Sequence, residues 1–190
     1  MIRTGDTLQN PVTRETLTFL KAARDTGGEY TLVECTVEPD GFVAAAHVHP
    51  FQTETFELVS GRLGIRAGRQ KLELEPGDVA VVEPGTPHKF WNAGDDRAVF
   101  RCEVRPALQF ESLIETMFAL ADDGKTNRKG MPSPFRLAPI ANAHFDTVRL
   151  PRVPASLQKA ALALGAPMGR LFGYGPTYTP APAGEPAFAV

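Results

Sequence analysis

Cysteine is scarce in this 190-residue chain: Cys35 and Cys102 are the only two. Both fall inside alternating apolar patterns, so a disulfide framework is not indicated and a reducing compartment is expected. Long apolar runs are also missing. None approaches the ~20 residues that a membrane-spanning helix needs. The opening M-I-R-T-G-D-T has no apolar h-region of the kind a signal peptide carries. A cytoplasmic protein with no membrane partner is therefore expected. Neither sign of charge dominates, with 20 Lys and Arg against 22 Asp and Glu and a net charge of −2. That balance supplies no basic face, and no nucleic-acid partner is expected. Internal repeats are absent, which leaves one structural unit. What is present is an ordinary apolar content of 43%, enough at this length to bury the core of one domain.

Histidine is nearly as rare, with four in the chain, so its placement carries information. Two lie in Gly41–Gly61, which reads G-F-V-A-A-A-H-V-H-P-F-Q-T-E-T-F-E-L-V-S-G. On a β-strand His47 and His49 would point to one side, because side chains alternate with a period of two. Pro50 favours a bend, and a returning strand from Thr53 to Val59 would bring Glu54 towards both imidazoles. A third imidazole, His88, opens a strand in G-D-V-A-V-V-E-P-G-T-P-H-K-F-W-N, residues 77–92. Imidazoles and a carboxylate on neighbouring strands suit a divalent transition metal.

These two stretches resemble the paired motifs of the cupin superfamily. Gly41, His47, His49, Glu54 and Gly61 match the first, G-x5-H-x-H-x4-E-x6-G, at every fixed position. Gly77, Gly85, His88 and Asn92 match the second, with Glu83 standing where the family usually has proline. The resemblance spans roughly residues 29–105. It implies an all-β core, a cupin double-stranded β-helix or jelly-roll barrel, followed here by C-terminal helices. It also implies His47, His49, Glu54 and His88 as ligands of one divalent metal ion: Fe, Mn, Ni, Cu or Zn.

Taken in order, residues 1–28 read as an N-terminal arm that adds strands to the barrel or to a partner. Residues 29–105 read as the barrel, 106–173 as a helical and loop extension, and 174–190 as a flexible Pro/Ala-rich tail. Alternation predicts Val43, Ala45, His47 and His49 on one interior strand face. Phe56, Leu58, Phe90, Phe100 and Cys102 face the same interior, giving an apolar pocket lining. A helix is expected over 107–121 from the spacing of Phe110, Leu113, Ile114, Met117 and Leu120. Residues 125–154 read as a long loop, and Ser156–Leu164 as a second helix stopped by Gly165 and Pro167. His144, in the long loop, reads as a packing residue rather than a ligand.

Four ligands leave positions open on an octahedral ion, unlike a closed structural zinc site. The expected function is thus metal-dependent chemistry on a small, hydrophobic or enolisable substrate, leaning to a dioxygenase. A non-redox isomerase, cyclase or lyase using the metal as Lewis acid, and a non-catalytic metal or small-molecule binding cupin, are the alternatives. Imidazole must be neutral to bind metal, so affinity should fall as pH drops below about 6.5. A homodimer, paired through sheet edges, is the expected assembly.

Overall fold

The computed structural model describes residues 1–180. Among the described residues, nine antiparallel strands form two sheets. The larger has the order β1-β2-β3-β9-β4-β7 and the smaller β6-β5-β8. The first two strands, β1 (Thr7–Asn10) and β2 (Glu15–Lys21), are a hairpin whose second strand pairs with β3 (Thr31–Val37). The N-terminal segment thus extends the larger sheet of its own chain. The later strands are β4 (Thr53–Ser60), β5 (Leu63–Ala67), β6 (Gln70–Leu74), β7 (Val79–Val82), β8 (His88–Asn92) and β9 (Ala98–Arg105).

Alternation sets which faces meet. Val33, Cys35 and Val37 of β3 stand opposite Cys102, Phe100 and Ala98 of β9, and all six are buried. Phe56 and Leu58 of β4 continue the same layer beside Cys102 and Phe100. Leu63 and Ile65 close the core from the smaller sheet. On the outer face of β5, Gly64 leaves the space that Trp91 fills. A Cβ at Gly64 would lie 2.3 Å from the indole.

One strand departs from expectation. Residues 43–49 do not form a continuous strand but an irregular run tied down by isolated bridges, Phe42 to Trp91, His47 to His88 and Val48 to Arg149. The small residues Ala44–Ala46 take no part in a ladder. The two histidines are held by pairing on different partners, and not by one regular pleat.

The C-terminal third differs more. Helix α1 (Phe110–Asp122) lies close to its expected span. Its Glu111 carboxylate accepts hydrogen bonds from the Ala23 N–H (2.6 Å) and the Thr31 hydroxyl (3.0 Å), fixing the helix start to the barrel. The segment expected as a loop contains a second helix, α2 (Pro134–Ala143), with Pro134 at its first turn, where a missing N–H costs nothing. Helix α3 (Ala155–Leu171) runs through Gly165 and Pro167 instead of stopping there. The reason is packing: a Cβ at Gly169 would lie 2.2 Å from the Phe135 carbonyl oxygen of α2, and one at Gly165 would lie 3.2 Å from the Ala138 Cβ. These glycines allow close approach of two helices. They do not provide the left-handed turn that ends one. Gln158 of α3 then clamps the preceding loop, accepting from the Leu150 N–H and donating to the Leu150 and Val153 carbonyls. Of the expected tail, residues 174–180 have no regular structure, and the Tyr178 N–H donates to the Thr116 hydroxyl on α1. The rest of the tail, 181–190, lies outside the described residues.

Candidate metal centre

His47, His49, Glu54 and His88 converge. One donor atom from each can be chosen so that all four lie within 4.8 Å of one another. Glu54 comes from β4 and His88 from the start of β8, while His47 and His49 come from the irregular run between β3 and β4. The His47–His88 bridge supplies two backbone hydrogen bonds, of 3.0 and 2.9 Å, that lock the two stretches together.

Each imidazole is oriented by its far nitrogen. His47 Nδ1 donates to the Ala45 carbonyl (2.8 Å) and His88 Nδ1 to the Thr86 carbonyl (2.9 Å). His49 Nδ1 donates to the Thr147 carbonyl (2.6 Å), with the Gln52 amide oxygen at 3.0 Å as a second acceptor. These partners assign the proton to Nδ1 in all three rings and leave each Nε2 lone pair for the centre. Glu54 faces them, with Oε1 3.5 Å from His49 Nε2 and Oε2 2.6 Å from His88 Nε2. Glu54 Oε2 and His88 Nε2 are nevertheless buried without a hydrogen-bond partner. Two lone pairs aimed at each other in a dry site are what a cation would bridge, so the donor set fits a divalent metal.

The electrostatics agree at His47 and Glu54 but not at His88. Burial, reinforced by the neighbouring His49 and His88, drives the His47 pKa down to about 3, so this ring stays neutral. Burial would raise the Glu54 carboxyl, but the adjacent imidazoles outweigh it and hold the pKa at about 2. For His88, burial pulls the pKa down and the Glu54 carboxylate more than reverses it, leaving it raised.

The cluster lies on the wall of a cavity of about 500 Å³ that His47 and His49 line. Val43, Ala45, Phe90, Phe100 and Cys102 line it. Phe56 and Leu58 do not. They sit in the packed core, where Phe56 lies behind Phe90 and Phe100 with ring centroids 6.1 and 5.7 Å away. Alternation finds the inward face, but it does not separate residues that touch open space from those covered by a second layer. The far side of the cavity comes from the C-terminal extension, including Leu113 and Met117 of α1, Leu137 of α2 and Leu157 of α3.

His144 is buried and caps α2, with Nδ1 donating to the Ile140 carbonyl and Nε2 accepting from the Ser112 hydroxyl at 3.2 Å. Gln52 was not legible as a functional residue. It is almost fully buried, and its amide donates to the Pro106 and Ala107 carbonyls while its oxygen faces His49. Nothing in a lone glutamine three residues after a histidine signals this. Gln52→Leu should weaken metal binding about 10- to 100-fold, the usual effect of removing a group that orients a ligand. Chelator competition measures it, and an unchanged affinity would show that Thr147 alone orients His49.

Glu15 is the second residue that sequence reasoning missed. It is a buried carboxyl lining the same cavity. The signal was present in E-T-L-T-F, where Glu15 shares the inward alternation of Leu17 and Phe19.

Comparison with known proteins is consistent with this architecture. Residues 33–104 match the family model described as "Cupin domain". The chain is 26% identical over 126 residues to quercetin 2,3-dioxygenase of Bacillus subtilis, covering 54% of this chain and 37% of that protein. It therefore spans well under half of that relative's length. It is 29% identical over 85 residues to an uncharacterised protein of Methanocaldococcus jannaschii, covering 45% of this chain and 67% of that one. Among solved structures, a Klebsiella pneumoniae protein with a double-stranded β-helix domain is similar at a TM-score of 0.43 and 22% identity, over 57% of this chain and 84% of that chain.

Proposed function

Through residues 33–104 the chain belongs to the cupin superfamily, and from that premise we propose that it is a metal-dependent enzyme acting on a small, mostly apolar, enolisable molecule, with dioxygenation as the reaction. His47, His49, Glu54 and His88 are the ligands in this reading. The observation that carries it is the convergence of three fixed Nε2 atoms and one carboxylate on the wall of an apolar cavity roofed by helices. A bound divalent ion would supply Lewis-acid polarisation and, if redox-active, electron transfer to dioxygen.

The chain's own residues set what would bind there. Three imidazoles bring no charge, and Glu54 brings one negative charge, kept ionised by its neighbours. A divalent ion would thus leave one positive charge uncompensated in an apolar setting. Burying that charge is costly unless an anionic partner arrives. An enolate oxygen on an otherwise hydrophobic body meets both demands. Val43, Phe90 and Phe100 would pack such a body and keep water from it. The similarity to a protein named for quercetin dioxygenation supports the same class.

Two measurements test this. Elemental analysis of protein purified without chelators should find close to one redox-active metal ion per chain. Oxygen uptake with enolic aromatic compounds such as quercetin should then show substrate-dependent consumption. Substrate turnover without oxygen uptake would replace dioxygenation by Lewis-acid isomerisation or lyase chemistry. Ligand binding without turnover would make the protein a binding module.

A further inference from the structure

The cavity has a second polar feature, set apart from the four-residue cluster. Glu15 opens β2 on its inward face and is 6% exposed. Its level in the sheet is that of Val37 and Ala98, whereas Glu54 pairs with Val104 at the other end of β9. The run from Ala98 to Val104 corresponds to roughly 20 Å of strand at the usual rise. Asn10, its partner across the hairpin turn, lines the same cavity. Thr13, in that turn, is fully buried, its hydroxyl beside the Glu15 carboxyl. Asn10 spends its amide oxygen on the Val12 and Thr13 N–H groups of the turn, which leaves the Glu15 carboxyl as the acidic group at this end of a mostly apolar space.

Among the described residues no cation pairs with the carboxyl. The charged residues at this edge pair with one another, Arg14 with Asp40 and Arg97 with Glu38. From β3 the Cys35 thiol faces it, pushed up by burial and then by the Glu15 charge. Burial raises the Glu15 pKa to about 8, against a smaller opposing pull from the Thr13 hydroxyl. At neutral pH the group is a carboxylic acid, with one O–H donor and one carbonyl acceptor.

We propose that Glu15 is a specificity residue that anchors the far end of an elongated, mostly apolar substrate by donating a hydrogen bond to an uncharged oxygen there, a carbonyl or hydroxyl. The inference rests on the proposed function only in taking this cavity as the substrate site. It narrows the substrate class to molecules with a chelating, enolisable oxygen at one end and a neutral acceptor oxygen at the other. An anionic group would be disfavoured at the Glu15 end, because it would lack water and a counter-charge, and a cationic group would first have to displace the Glu15 proton.

The test uses the full chain, both as purified and after chelation, with three probes of one shape. These are 2-acetonaphthone, 2-ethylnaphthalene and 2-naphthylmethylammonium. At pH 6.5 the ketone should bind about tenfold more tightly than the hydrocarbon, the effect of one good hydrogen bond in a dry site. Glu15→Leu should bring that ratio to about one without weakening the hydrocarbon. Glu15→Gln should keep much of it, since an amide still donates. At pH 9.5 the wild-type ratio should collapse because the ionised carboxylate cannot donate, while that of Glu15→Gln should hold. Equal ratios in wild type and Glu15→Leu, no uptake of either neutral probe, or tightest binding of the ammonium would overturn the proposal. Each arm is read on chelated protein as well, so failure of the metal reading shows separately, in the elemental analysis.

Thermal stability gives a check on the protonation itself. The folded value near 8 lies above the ordinary carboxyl value of 4.5. The folded chain therefore holds this proton more tightly, and its contribution, complete below about pH 4.5, is lost as pH rises towards 8. Glu15→Gln should lack that loss.

Discussion

Alanine at His49 should bring the metal content below about a tenth of an ion per chain while the barrel stays folded. His49 supplies one of four converging donors, and its removal costs more than the Nε2 atom. The Thr147 carbonyl and the Gln52 amide oxygen lose their shared donor, and Glu54 loses one of the imidazoles that keep it ionised. The loss should therefore exceed the ~10- to 100-fold effect of deleting a supporting group. The barrel should survive because His49 lies outside all nine strands. His144→Ala is the matched control. It also removes a buried histidine, but one whose ring nitrogens bond to Ile140 and Ser112, away from the cluster. That variant should lose stability and retain metal. Elemental analysis and circular dichroism on the two proteins decide the matter. Full metal content in His49→Ala would end every metal-centred account of this site.

The second large effect concerns the backbone. Gly61 has φ of +79°, and a Cβ built there would lie 2.4 Å from the Arg97 carbonyl oxygen and 2.7 Å from the Ala98 Cα. Alanine would meet two independent penalties, a left-handed conformation costing about 1–2 kcal/mol and a clash with backbone that cannot rotate away, costing about 1–3 kcal/mol. Gly61→Ala should therefore lose roughly 3 kcal/mol or more, a large share of the stability of a single domain. Gly68 separates the terms. Its φ is +58°, but nothing lies within 4 Å of its would-be Cβ, so Gly68→Ala should show the conformational penalty alone. Denaturant titration compares them. Equal losses would mean that the chain at Arg97 yields readily, and that the closing glycine of the first motif is there for its turn only.

These two glycines show how much the sequence tells and where it stops. The motif spacing marked Gly61 as fixed without saying why. The reason is a close approach between β4's end and β9's start, a contact between segments more than thirty residues apart. The four cluster residues were legible because chemistry and spacing coincide in a chain poor in histidine. The inward faces of β3, β4 and β9 were legible because period-two alternation survives wherever one side is buried. Three things escaped. The 43–49 run broke its pleat because its hydrogen bonds go to separate partners, which no local pattern encodes. Gly165 and Pro167 read as a stop because propensity speaks for an isolated helix, whereas α3 is held against α2. Gln52 and Glu15 escaped because their roles depend on what lies across the fold. Glu15 was the more recoverable, as a carboxylate in phase with Leu17 and Phe19.

The Thr147 carbonyl that receives the His49 proton lies ninety-eight residues further along the chain. In a polypeptide made from its N-terminus, both motifs and all nine strands emerge before that acceptor exists. A nascent chain stopped short of residue 147 would hold His47 and His88 by carbonyls two residues before each ring, with His49 relying on Gln52 alone. Such a long-range closure carries a loop-entropy cost that local pairings do not. The hydrogen bond that orients His49 on Thr147 therefore cannot form until that residue has been made, so the C-terminal extension supplies this contact as well as a wall of the cavity.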